Sequence, residues 1–129
     1  MLGLGPHEWA ALTVGGTFPD LMDGIIAGPS RDIWEGIHRT FSHWPVLYPI
    51  ALAILTFTGV GLPDYIYLLI CAFLTGCLVH ISCDFFTPMG IPLYPPFTKR
   101  VSLRLITTGS VQDYAFGFTP LIIYGFFFV

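Results

Sequence analysis

His80 and Asp84 stand four residues apart near the end of an apolar stretch that begins at Tyr65. On a helix that spacing puts both side chains on one face, one turn apart. An imidazole and a carboxylate so placed can reach one metal ion without bending the backbone. They can equally form a plain hydrogen bond at a helix end, and the spacing leaves both readings open. Asp20 and Asp23 form a second set, three apart, just past an apolar and Gly-rich N-terminal segment. These two read either as caps for a following helix or as hard oxygen ligands. His38 and His43 form the third set. Five residues rotate a helix to about 140° past a full turn, so both can meet one ion only if the chain changes direction between them. Ser42 offers a means, as the N-cap of a helix whose first turn tolerates Pro45.

Together these sets supply three of the four histidines and three aspartates. Imidazoles and carboxylates near membrane depth are costly unless paired or metal-bound. Mixed His/Asp ligation suits Zn²⁺, or Mn²⁺ and Mg²⁺ as carboxylates increase. The six candidates exceed the four ligands of a tetrahedral zinc. The surplus leaves room for two ions, or for a carboxylate, Asp23 or Asp84, acting as general base. Arg39, Lys99, Arg100 and Arg104 can hold an anionic group such as a lipid phosphate, or they can serve only to retain their loops on one side. Ser42, Ser82 and Ser110 have no base-and-orienter pattern beside them in the sequence, so no catalytic role is expected of them.

The elements that must position these groups follow from hydropathy. Of 129 residues 54% are hydrophobic and 10% charged, against roughly 25% charged in ordinary soluble domains. One membrane domain over residues 1–129 is the natural class. The net charge of −3 gives no basic field, and no nucleic-acid partner is expected. Cys71, Cys77 and Cys83 are odd in number and six apart, which scatters them around a helix; they read as small buried residues. Residues 44–62 and 65–83 are each long enough to cross roughly 30 Å of hydrocarbon. Pro49 is expected to kink the first, and Gly61-Leu62-Pro63-Asp64 forms the turn between them. Residues 114–129 make a third, short span. Residues 1–27 are a weak or re-entrant segment in which Pro19 should end a helix near Phe18. A short interfacial helix is expected from Asp32 to His38, with Trp34 at headgroup level. The expected fold is thus all-α, a small polytopic membrane bundle of three clear spans, with a metal site at one membrane face. All five basic residues fall in residues 28–43 and 84–113, so the positive-inside rule places that face in the cytoplasm. His7 lies about 20 Å up a straight helix from Asp20, and it joins the site only if Gly15-Gly16 folds the segment back.

Four motifs in order resemble the YdjM-like (DUF457) family of inner-membrane proteins. Phe18-Pro19-Asp20-Leu21-Met22-Asp23 is similar to its LPDxD, and His38-Arg39-Thr40-Phe41-Ser42-His43 to its HRGxTHS. His80, Asp84, Thr87, Pro88, Gly90, Pro92, Leu93 and Pro95 fit HxxxDxxTPxGxPLxxP. Thr108-Gly109-Ser110 with Asp113 resembles a TGS followed by an acid. Gly24 stands where the family often has a histidine, and Thr40 where it often has a glycine. The resemblance covers most of the chain and implies a multi-pass protein of the bacterial inner membrane, regarded as a metal-dependent hydrolase. It also implies a distant relation to zinc phospholipases and nucleases that carry a His-x3-acid pair.

Two functions fit the residues. The first is a hydrolase acting on phosphoester or lipid substrates at the cytoplasmic leaflet, with Asp20, Asp23, His38, His43, His80 and Asp84 as ligands and membrane lipids as partners. The second is a non-catalytic subunit whose structural metal ties helix ends together, to face a membrane protein partner or a second copy. Ion transport fits less well, because the polar groups gather at one membrane end rather than at its midplane.

Overall fold

The computed structural model describes residues 5–58, 61–107 and 110–111. In chain order these form helix α1 (Pro6–Ala27), the short helix α2 (Arg31–Ile37), a 3-10 turn (Phe41–His43), helix α3 (Leu47–Thr58) and helix α4 (Asp64–Phe86). A small antiparallel ladder follows, with Ile91–Pro92 (β1) opposite Arg100–Val101 (β2) in the register Ile91↔Val101. The chain is mostly helical, as its hydropathy implies, and the ladder is an addition to the all-α expectation.

Among the described residues, two stretches are long and apolar enough to cross a membrane, Arg31–Thr58 and Asp64–Phe86. These are two of the three expected spans; the third, residues 114–129, lies outside the described residues. The first stretch is broken between α2 and α3, and the unbroken part, 12 residues long, reaches only about 18 Å. Pro49 therefore sits in the first turn of α3 and kinks nothing, because a missing N–H there removes no helical bond. Ile50, Ile54 and Phe57 on α3 and Leu68 on α4 are exposed. A helix surface of that kind needs an apolar surrounding or a partner rather than water.

Pro19 does not end a helix; it lies inside α1, fully buried. A proline in a helix interior costs about 3 kcal/mol in isolation, and here packing against α4 outweighs that local cost. Gly28, with φ +56, closes α1 by donating to the Gly24 carbonyl, and Ser30 caps α2 by accepting from Ile33 N–H at 3.3 Å.

The central contact joins α1 to α4. A Cβ built on Gly76 would stand 2.1 Å from the Leu12 carbonyl oxygen, and one on Gly15 would stand 2.0 Å from that of Phe73. Only glycine permits backbones to approach so closely, as in small-residue crossings of membrane helices. The two helices run parallel, since Leu12 meets Gly76 while Asp20, two turns on, meets His80. Tyr48, Cys77, Ile81 and Ile91 make the buried apolar cluster directly beneath the site, with Phe18 and Phe73 edge to face beside it. Because α1 is continuous, Gly15-Gly16 makes no re-entrant fold and His7 stays exposed at the far end, about 20 Å from Asp20. The three cysteines are free, and Cys77 is part of the core.

Replacing Gly76 by alanine forces the helices apart and is expected to destabilise by about 1–3 kcal/mol. Gly24→Ala, with open space around its Cβ position, should be neutral or stabilise by up to about 1 kcal/mol. Thermal unfolding of both variants in detergent checks the contrast; an equal response would place the crossing elsewhere.

Candidate metal centre

Three chain segments converge at the C-terminal ends of α1 and α4. Asp20 and Asp23, one turn apart on α1, face the loop that carries His38 and His43, and α4 brings His80 and Asp84 on one face. The change of direction between His38 and His43 comes from Arg39, which takes a left-handed backbone at φ +58, followed by the 3-10 turn. Ser42 is not the helix cap that its position suggests; α3 begins five residues later, and Ser42 is buried within the turn. Tyr48 donates its hydroxyl to the Ser42 carbonyl at 2.8 Å, and Trp44 Nε1–H donates to the Leu93 carbonyl at 2.9 Å. These two bonds tie the turn to α3 and to the segment after α4.

Four ligand atoms crowd one point. His43 Nε2 lies 3.2 Å from Asp20 Oδ1, 3.3 Å from Asp84 Oδ2 and 3.2 Å from His80 Nε2. His80 Nε2 lies 3.6 Å from both Asp20 Oδ1 and Asp84 Oδ2. A tetrahedral site with ligand bonds of about 2.0–2.2 Å has edges of about 3.3–3.6 Å, so these groups could hold a small divalent cation. His43 is fully buried, Asp84 and His80 are largely buried, and the Asp20 carboxylate is half exposed, at 51%.

Two further observations fit a cation. Asp84 Oδ2 is buried and has no hydrogen-bond partner, although buried carboxylate oxygens ordinarily have one. The second is the tautomer of His43. Asp23 Oδ1 accepts the Ser42 hydroxyl at 2.5 Å, which leaves the Ser42 oxygen to accept from His43 Nδ1–H at 2.9 Å. A histidine protonated at Nδ1 points its Nε2 lone pair into the cluster, as a metal-ligating histidine does when its other nitrogen is held by an outer partner.

Asp23 itself stands behind the cluster. It is almost wholly buried; Oδ1 takes Ser42, and Oδ2 takes His38 Nδ1 and the Arg39 backbone N–H, both at 3.2 Å. His38 stacks on Trp34 with ring centroids 4.0 Å apart and reaches Asp20 Oδ1 at 3.7 Å. Asp20, His38 and His43 form one triad of possible ligands, and His43, His80 and Asp84 the other. All six aspartates and histidines singled out in the sequence are thus brought together, in unequal positions.

The arginines divide. Arg39 is buried, its Nη2 donating to Asp84 Oδ1 at 2.7 Å and its Nη1 to Thr87 Oγ1 at 2.8 Å. Thr87 Oγ1 in turn donates to the Asp84 carbonyl at 2.8 Å. Arg39 therefore fixes the Asp84 carboxylate and presents Oδ2, rather than its own charge, to the site. Arg100 and Arg104 lie on the exposed side of the loop, where Arg100 Nη2 donates to the His38 carbonyl at 3.1 Å. The contributions of Ser42 and Tyr48 escape sequence reasoning. Adjacency of a serine to His43 is the only trace of the first, and the second depends on a contact between turn and helix.

A helical chain with exposed apolar faces and a buried imidazole–carboxylate cluster at one end defines a membrane protein with groups able to bind a metal. The YdjM inner membrane protein family matches residues 2–127, and the chain belongs to that family. No curated protein and no solved structure matches it.

His43→Ala, His80→Ala and Asp84→Ala should each abolish stoichiometric metal in the purified protein, while His7→Ala leaves it unchanged. Ser42→Ala should weaken affinity by about 10–100-fold through loss of His43 orientation. Elemental analysis with competing chelators reads both; full affinity in Ser42→Ala would remove the role given to that hydroxyl.

Proposed function

We propose that the chain is a metal-dependent hydrolase of the inner membrane, multi-pass, with its site at the cytoplasmic face. His43, His80 and Asp84 hold one divalent cation, for which zinc suits two imidazoles and a carboxylate at tetrahedral spacing. A cation bound there supplies Lewis acidity and lowers the pKa of a coordinated water toward about 7. The observation that carries the reading is the asymmetry of burial. Three ligand groups are enclosed, and the side chain at the fourth vertex, Asp20, is half exposed to solvent.

Asp20 is the group placed to meet water and substrate, and it takes a proton from the attacking water at Oδ1. Asp23 cannot do this work because both its oxygens are engaged by Ser42, His38 and Arg39. It holds His38 and, through Ser42, the tautomer of His43. Arg39 orients Asp84 through Oδ1. His38, stacked on Trp34, borders Asp20 on the solvent side. A structural site is the second reading, and it rests on the same vertex: if Asp20 also ligates, four protein atoms close the coordination sphere.

Asp20→Asn separates the two. In the hydrolase reading it keeps the metal and loses about 10²–10⁴-fold in turnover; in the structural reading it loses metal as Asp84→Asn does. Orientation is tested with an impermeant thiol reagent on intact cells, the native cysteines having been replaced. Asp64→Cys should label from outside and Arg100→Cys should not, because all the basic residues lie on the site side. The reverse pattern would turn the site to the other face.

A further inference from the structure

In the segment after α4 lies an open cleft of about 340 Å³, lined by Pro88, Met89, Arg100, Val101, Ser102 and Arg104. We propose that this cleft is an anion subsite that holds the phosphate of the substrate, making the substrate a phosphoester; the assignment rests on the hydrolase reading above.

The lining carries two guanidinium groups, a hydroxyl and no acid. Arg100 spends one Nη2 donor on the His38 carbonyl, and the rest of its fork remains available. The Arg104 guanidinium has no partner among the described residues. Its backbone is held at φ +53, in the left-handed region that non-glycine residues rarely adopt, with its N–H donating to Ser102 Oγ at 3.0 Å. Ser102 is anchored in turn through its hydroxyl to the Thr87 carbonyl. The flanking Leu103 and Leu105 N–H groups bond to the Phe85 and Phe86 carbonyls, so Arg104 stands on a fixed backbone with its side chain unspent.

The opposite wall is equally fixed. Gly90, with φ +64, lets the turn after α4 close on β2, since a Cβ there would stand 2.3 Å from the Val101 carbonyl oxygen. The wall is continuous with the cation-ready cluster. Thr87, adjacent to Pro88, holds Arg39 and so Asp84, and Arg100 grips the loop that carries His38. Two guanidiniums on a rigid frame suit phosphate, which takes paired N–H donors. Met89 in the lining and Leu93, Tyr94, Leu103 and Leu105 on the same segment are exposed, so the phosphate can belong to a lipid headgroup at the membrane face or to a soluble ester.

The test uses the full chain in an uncharged detergent. Its soluble arm titrates sn-glycerol 3-phosphate calorimetrically, and its lipid arm counts retained phosphatidylglycerol against diacylglycerol by native mass spectrometry. Metal content is measured on every sample. An Arg100→Ala/Arg104→Ala variant should bind the phosphorylated probe at least about tenfold more weakly, with metal content unchanged. The single change Arg104→Ala, which removes no internal bond, should show the effect in part, and Arg104→Glu should show it more strongly. Retention of phosphatidylglycerol alone assigns the phosphate to a lipid, and binding of glycerol 3-phosphate alone assigns it to a soluble ester. Binding that is indifferent to all three variants, or no binding of either probe by wild type, overturns the subsite and leaves the metal reading standing. Arginine-dependent binding in a wild-type protein that takes up no metal does the reverse.

Discussion

The backbone contact between α1 and α4 sets everything above it. Gly15 and Gly16 on one helix and Gly76 on the other let the chains touch carbonyl to α-carbon. One turn beyond Gly16 comes Asp20, and one turn beyond Gly76 comes His80. The parallel crossing therefore fixes, with few degrees of freedom, how far the acid of one helix stands from the imidazole of the other. In a membrane there is no hydrophobic drive between helices, so such close packing must supply the association. A wider crossing would separate Asp20 from His80 and Asp84 and leave buried polar groups unpaired, at a cost of roughly 1–3 kcal/mol each.

Above that crossing the charges are arranged in two layers. Arg39, Asp23, Ser42 and Thr87 bond almost wholly to other protein groups, and each fixes a group that faces the cluster. The inner atoms, His43 Nε2, His80 Nε2 and Asp84 Oδ2, are left facing one another with few donors among them. Two imidazole nitrogens 3.2 Å apart beside a carboxylate oxygen without a partner make an electron-rich focus. Such a focus is stable when a proton or a cation lies within it. The outer layer explains why a buried arginine stands in a motif that, read locally, offers it to a substrate.

The segment after α4 joins this centre to the surroundings. Gly90, the short ladder and the Ser102–Thr87 bond hold residues 88–104 against the loop of His38. Exposed apolar side chains on this segment and arginines in its cleft give it the mixed character of a headgroup region.

The sequence by itself determined the class and the cast. Apolar runs bounded by Gly and Pro turns gave α4 nearly to the residue, and period-four spacing placed His80 and Asp84 on one face, because those signals are local. The six aspartates and histidines at the site were legible for the same reason, as polar groups out of place in apolar surroundings. What only the tertiary structure decided was how they are used. Pro19 reads locally as a stop, yet α1 passes through it because tertiary packing buries it. Pro49 reads as a kink, yet the helix begins too late for it to act. Asp23 reads as equivalent to Asp20, and only long-range bonds to Ser42, His38 and Arg39 separate a positioning carboxylate from an open one. Arg39 reads as a free cation until Asp84, 45 residues away, is found at 2.7 Å. Contacts so distant in the chain leave no periodicity in it, so their assignment belongs to the fold.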